Sequence, residues 1–386
     1  MIIYIASHHS LGDIQFNVIH NQEYAKKQFG LTGRLLSYHY ILAAKAEAGL
    51  FHYYILKWPI QKDKKMKESK VNLFLDSGAF SAWSKGINID IKDYINFIKE
   101  HEKYLEVYSV LDHIGDSELT LKNQKIMEKA GLSPLPCFHY GSDKKHLQYY
   151  VDNYEYIALG GMVPISSKNL TTWLDILFSN FICDKNGIPK VKVHGFGLTS
   201  LTLMLRYPWY SVDSTSWVMT SRFGSVYVPK IVKGGKCIYD KDNWKICISG
   251  RSPSKTEPGQ KHIDTFYSTD RKVILQYFKD KGYSLGKSEF FNRPEGYELG
   301  EDESWSSRPY IEYEEDAKGE IIKDKKGRKK IKQKHPGEVE KIIERGLCND
   351  YKLRDEMNII YFLDLEKSIP EWPWPYKKKS MKGFGM

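Results

Sequence analysis

Three aspartates stand at the ends of short apolar runs: Asp76 closes NLFLD, Asp112 closes VYSVLD and Asp213 closes WYSVD. Other runs of the same kind end in PLPCFH with His139, in YIALG with Gly160 followed by Gly161, and in VKVHGF, which carries His194 and Gly195 and precedes Gly197. The first run, IIYIA, leads into Ser7, His8 and His9. If these runs are parallel strands, their C-terminal ends point to one face and the polar groups converge there. A single aspartate after a strand is more often the N-cap of the next helix. Three in register, with histidines and glycines at the remaining ends, favour a shared pocket. Two carboxylates in one pocket suit glycosidic-bond chemistry, in which one attacks an anomeric carbon and another handles the proton of the leaving group. A third can accept hydrogen bonds from a ligand edge that carries N–H donors. The glycines let a flat ligand approach the backbone and serve equally well in tight turns. Spacing alone does not distribute these roles.

The elements that must position these groups are legible as an alternation. Strands are expected at 2–6, 72–76, 107–112, 134–139, 156–160, 191–196 and 209–213, with 226–232 as an eighth. They are short and rich in β-branched and aromatic residues, as buried parallel strands are. Between them, Ile91, Tyr94, Ile95 and Ile98 repeat at helical spacing behind a candidate N-cap, Asp90. Leu147, Tyr150 and Val151 share a second helical face, and Leu170, Trp173, Leu174 and Leu177 a third. Such alternation predicts an α/β fold, a TIM-like (β/α)8 barrel over residues 1–235, with an open doubly wound sheet as the alternative. Residues 236–386 read as a smaller, basic C-terminal region.

The chain has 386 residues and a formal net charge of +10, which favours a polyanionic partner over a merely solvated lysine surface. The charge is uneven: 311–317 is acidic, whereas 318–334 (KGEIIKDKKGRKKIKQK) is strongly basic and reads either as a solvated hairpin or as an arm that grips phosphates. Cys137, Cys183, Cys237, Cys247 and Cys348 are odd in number and form no CxxC, so no disulfide framework is expected and a reducing cytoplasm is the default. No run approaches the ~20 apolar residues of a membrane span, and a membrane partner is not expected.

The run Asp76-Ser77-Gly78-Ala79-Phe80 resembles the DSGGFQ signature of the tRNA-guanine transglycosylases. YIALGGMV (156–163) resembles that family's glycine pair, VHGFGLTS (193–200) its following strand, and YSVDSTSW (210–217) the segment holding its nucleophilic aspartate. The order and spacing agree over about residues 70–220, more than a third of the chain. The resemblance implies a barrel enzyme that exchanges a purine base on a nucleic acid. Asp213 would be the nucleophile at C1′ and Asp76 the general acid/base. Asp112 would read the guanine N1–H and 2-amino edge, and Gly160 and Gly161 would donate backbone N–H groups to the base carbonyl. Phe80 would stack on the base, with Ser77, Gly78, His139 and His194 lining its pocket.

Departures from the family pattern bear on the substrate. The tRNA-type enzymes carry a CxCxxC…His zinc site after the nucleophile. Here only Cys237 and Cys247 stand in that region, with His262 beyond, at a spacing that does not match. They could supply three ligands to a structural zinc, or be ordinary strand cysteines. Ser81 replaces the glutamine that follows DSGGF, and Arg222 is what remains of an arginine-rich stretch. These features are more similar to the DNA 7-deazaguanine transglycosylase branch of phages and bacterial DNA-modification clusters. That branch implies guanine in DNA as the target, a 7-deazaguanine of the preQ0 type as the incoming base, and no cofactor for the chemistry. Residues 236–386, with Trp305, Trp372 and Trp374 and the basic run, would then grip a duplex from which the target base is extruded. A tRNA substrate and a non-catalytic nucleic-acid-binding barrel are the alternatives.

Overall fold

The computed structural model describes residues 1–6, 33–43, 72–198, 200–232, 234–239, 243–252, 261–316 and 319–376. Ser7, His8 and His9, at the end of the first strand, and the lysine-rich tail beyond Tyr376 lie outside the described residues. The chain divides into two compact units, each described by itself. The first comprises Met1–Met219, Pro229–Trp244 and Asn358–Met386, and the second Thr220–Val228 and Lys245–Met357.

The first unit is built on an eight-stranded, wholly parallel, curled sheet flanked by helices. In chain order its elements are β1 (Ile2–Ala6), β2 (Gly33–Ser37), α1 (Tyr38–Ala43), β3 (Asn72–Asp76), α2 (Ala79–Ser84), α3 (Ile91–His101), β4 (Val107–Tyr108) and α4 (Ser117–Lys129). There follow β5 (Cys137–His139), α5 (Lys144–Asn153), β6 (Tyr156–Gly160), α6 (Ser167–Leu177), β7 (Lys192–Gly195), α7 (Leu201–Arg206) and β8 (Ser211–Ser214). The strands lie in the order β4-β3-β2-β1-β8-β7-β6-β5. Between the two end strands a single parallel bridge, Ser109 to Leu135, stands in place of a ladder, with Val110 N–H donating to Leu135 O at 2.9 Å and Leu135 N–H to Tyr108 O at 2.8 Å.

Two sequence expectations need correction. The eighth strand is β2, whereas the run 226–232 forms β9 (Ser225–Val228) and the separate β10 (Lys230–Ile231). Pro229 interrupts that run because it has no N–H to give a ladder. The unit boundary is also not at 235. β10 pairs with β11 (Cys237–Ile238) inside the first unit, and the chain returns to that unit at its C-terminal end. Glu366 there accepts the Ile3 N–H at 2.7 Å, Tyr239 donates to Asp364 at 3.0 Å, and the Trp372 indole donates to Pro208 O at 3.1 Å.

The expected helices follow from capping and periodicity. Asp90 caps α3, accepting from Lys92 N–H at 2.6 Å and Asp93 N–H at 3.3 Å, and Tyr94, Ile95 and Ile98 are buried. Asp143 and Ser166 cap α5 and α6, whose buried faces hold Leu147, Tyr150 and Val151, and Leu170, Leu174 and Leu177. Alternate strand residues point to the opposite face of the sheet. There the rings of Tyr4 and Phe74 meet at 5.2 Å, Phe74 and His194 at 4.7 Å, and His194 and Phe196 at 4.6 Å. These rings pack against one another beside the strand ends that carry the polar groups.

In the second unit β9 pairs with β12 (Trp244–Cys247), and α8 (Ser268–Asp280) precedes an antiparallel sheet. That sheet joins β13 (Lys287–Arg293), β17 (Gly337–Glu344) and β14 (Glu303–Ser307) in this order. β15 (Tyr310–Tyr313) and β16 (Ile331–His335) form the base of an exposed antiparallel arm. Bridges Glu315–Ile321 and Lys323–Lys329 continue it, so the basic run is a hairpin arm rather than an irregular loop. Arg328, Lys330 and Lys332 are paired with Asp324, Glu314 and Glu312, whereas Lys323, Lys325, Lys326 and Lys334 have no acidic partner among the described residues. No helix among the described residues is long and apolar enough to cross a membrane.

Candidate active site

The strand ends converge as the alternation predicts. β3 delivers Asp76, and the turn after it is held by three contacts. Gly78 N–H donates to Asp76 Oδ2 at 3.0 Å, Ser77 N–H to Ser109 Oγ at 2.9 Å, and Ser77 Oγ to Asp112 Oδ1 at 2.8 Å. Gly78 has φ +75°, and a Cβ there would run into Ser37 Oγ and His39, so glycine is required on both counts. Asp112 lies in the segment after β4, which Asn123 anchors by donating to Leu111 O at 2.8 Å.

Cys137 and His139 are two residues apart on β5 and so share one face. His139 Nε2 lies 2.8 Å from Asp112 Oδ2 and 3.6 Å from Cys137 Sγ. Gly160 stands opposite on β6, where a Cβ would sit 2.9 Å from Cys137 Sγ and 3.0 Å from His139 Cδ2. Gly160 thus makes room for Cys137 and His139. On β8, Asp213 is buried, and its Oδ1 accepts the Gly197 N–H at 2.8 Å. His194 Nε2 lies 3.3 Å from the same oxygen but out of line for a hydrogen bond. Its Nδ1 is 2.6 Å from Ser211 Oγ, which lies 2.5 Å from the Tyr156 hydroxyl. Among the described residues Asp213 Oδ2 has no partner.

The electrostatics report the same proximity. Burial, then the negative charges of Asp112 and Asp213, push the Asp76 carboxyl up to about 8, against the pull of the Gly78 and Ser77 N–H groups. Asp76 is therefore mainly protonated at neutral pH and can donate. Burial opposes a charge on His139, but the Cys137 sulfur and the Asp112 carboxylate outweigh it and raise its pKa. Burial likewise raises that of the Cys137 thiol. His194 is held below its ordinary value by burial, partly offset by Asp213.

Asp76, Ser77, Gly78, Asp112, His139, Gly160, His194 and Asp213 thus belong to one cluster, and Gly161 adjoins it at the end of β6. Phe80 does not join them in the packed interior: it stands on α2 with 48% of its surface exposed, 6.2 Å from Trp83. Ser37 and His39 flank Gly78 and were missed because β2 was missed. Among the described residues Ser37 Oγ and His39 Nε2 are buried without a hydrogen-bond partner. Cys137 was missed as a pocket residue, although its spacing from His139 puts both on one face.

Cys237, Cys247 and His262 do not form a grouping with metal-ligand geometry among the described residues. Cys237 is in the first unit, whereas Cys247 and His262 are in the second. Cys247 and His262 meet through a backbone bridge. His262 accepts the Asp264 N–H at Nδ1, 3.2 Å, and turns Nε2 to Ser249 O at 3.3 Å. Among the described residues the grouping with metal-ligand geometry is Asp112, Cys137 and His139, whose ligand atoms lie within 4.8 Å of one another. None of the five cysteines is in a disulfide. No family model matches the chain, and no curated protein matches it.

Proposed function

We propose that the chain is a glycosyltransferase that exchanges guanine in DNA for a 7-deazaguanine base through a glycosyl-aspartate intermediate. The observation that carries this reading is the meeting of Asp76, Asp112 and Asp213 at one end of a parallel sheet, with Asp76 raised by both of its neighbours. The sheet is read as a closed barrel, for which the Ser109–Leu135 bridge across the β4/β5 seam is the support.

In this reading Asp213 attacks C1′ of the target nucleotide through Oδ2, while Gly197 N–H holds Oδ1. The C1′–N9 bond breaks, its electron pair leaves with the base, and Asp76 supplies a proton to the departing purine. The incoming base returns that proton to Asp76, attacks C1′ and releases the Asp213 carboxylate. Asp112, held at both oxygens by Ser77 and His139, presents its remaining lone pairs to the N–H edge of the base. DNA is favoured over tRNA because the fitted zinc site of the tRNA-type enzymes has no counterpart in Cys237, Cys247 and His262. The exposed basic arm offers Lys323, Lys325, Lys326 and Lys334 to a phosphate backbone.

The test is incubation with labelled guanine and either duplex DNA or bulk tRNA. Label is expected in DNA alone, and nucleoside mass spectrometry with candidate deazaguanines then identifies the inserted base. Label confined to tRNA overturns the substrate. Release of free guanine with an abasic site, and no insertion, overturns the exchange.

A further inference from the structure

We propose that Asp112, Cys137 and His139 form a binding site for one transition-metal ion of the zinc or cobalt(II) type, independent of the transglycosylase reading. The three ligand atoms lie within 4.8 Å of one another and come from two adjoining strand ends. In a tetrahedral zinc site, bonds of about 2.3 Å to sulfur and about 2.05 Å to nitrogen set the two ligand atoms about 3.6 Å apart. Cys137 Sγ and His139 Nε2 are 3.6 Å apart. The matching nitrogen–oxygen separation is about 3.3 Å. Asp112 Oδ2 and His139 Nε2, at 2.8 Å, therefore need only a small side-chain turn to part.

The surroundings are those of a formed site. Ser77 Oγ holds Asp112 Oδ1 and leaves Oδ2 to the ion, as outer-shell groups do around metals. Gly160 leaves the space into which both β5 side chains project. The Asp112 side chain keeps 14% exposure against 8% for His139, so the open side is the carboxylate's. Sulfur and imidazole beside one carboxylate select zinc or cobalt(II) over magnesium or calcium. Binding forms bonds from Sγ, Nε2 and Oδ2 to the ion, and the thiol proton and the Nε2 proton pass to water. A fourth position is left for water.

The test uses the full chain and cobalt(II) alone. One equivalent should give a thiolate-to-cobalt charge-transfer band in the near ultraviolet, which zinc displaces. Cys137→Ser should abolish the band, and Cys237→Ser should leave it unchanged. His139→Gln keeps the thiol and should weaken binding at least tenfold, with Ser77→Ala about tenfold weaker through the outer shell. Thermal melts identify any variant that has lost its fold, and the remaining variants then decide. No band at one equivalent, or a band that persists in Cys137→Ser or at undiminished affinity in His139→Gln, overturns the proposal.

Discussion

Replacing Asp76 by asparagine should stabilise the protein above neutral pH and remove a descent from its pH–stability curve. The unfolded chain releases the Asp76 proton near the ordinary 3.8, whereas the folded protein keeps it until about 8. Between those values the native state binds more protons than the unfolded state, so unfolding free energy falls as pH rises and levels off beyond about 8. A shift of roughly four units at about 1.4 kcal/mol each sets a ceiling of about 6 kcal/mol. The Asp76 side chain keeps part of its surface in water, which discounts both the cost of burying its charge and its repulsion by Asp112 and Asp213, and about 2 kcal/mol is expected. Asparagine keeps an oxygen for the Gly78 N–H and has nothing to titrate. Urea unfolding of wild type and Asp76→Asn at half-unit steps from about pH 4 to about pH 9 reads the difference. The curves should meet near the acid end and separate with rising pH, with the variant melting about 4–8 °C higher at the alkaline end. Parallel curves throughout would refute the argument that three carboxylates share one mouth.

Gly160→Ala should cost about 1–3 kcal/mol in urea unfolding, because its Cβ would press on Cys137 Sγ and His139 Cδ2. Asp213→Asn should leave the melting temperature near wild type and lower guanine exchange at least about a thousandfold in a labelled-base assay. Lys325→Glu with Lys326→Glu should weaken duplex binding and reduce the slope of log affinity against log salt by about two, read by fluorescence anisotropy at several ionic strengths.

The sequence shows most clearly what local forces decide. Ile2–Ala6, Asn72–Asp76 and Tyr156–Gly160 are strands at the expected residues, and Asp90 caps its helix as its side chain and position suggest. β2 escaped because GRLLS is too short and mixed to carry a periodic signal, and VYVPKIV attracted the eighth assignment although Pro229 breaks it. Asp76, Asp112 and Asp213 could be named from strand ends because a parallel sheet aims every C-terminal end one way. Asp112 and His139 stand in contact only because the β4 and β5 ends meet, which no spacing along the chain encodes. The rise in the Asp76 pKa is equally tertiary, since burial and two distant aspartates produce it. Phe80 stands on α2, which starts at the Gly78 turn and leaves the ring half exposed.

The most direct measurement is intact-mass analysis of the enzyme quenched with acid during turnover on a short guanine-containing duplex, followed by peptide mapping. A protein–DNA ester, lighter by one guanine than the sum of its parts, is expected on the peptide that carries Asp213. Steady exchange with no such adduct, or an adduct mapped to Asp76 or Asp112, would contradict the role of Asp213 as nucleophile.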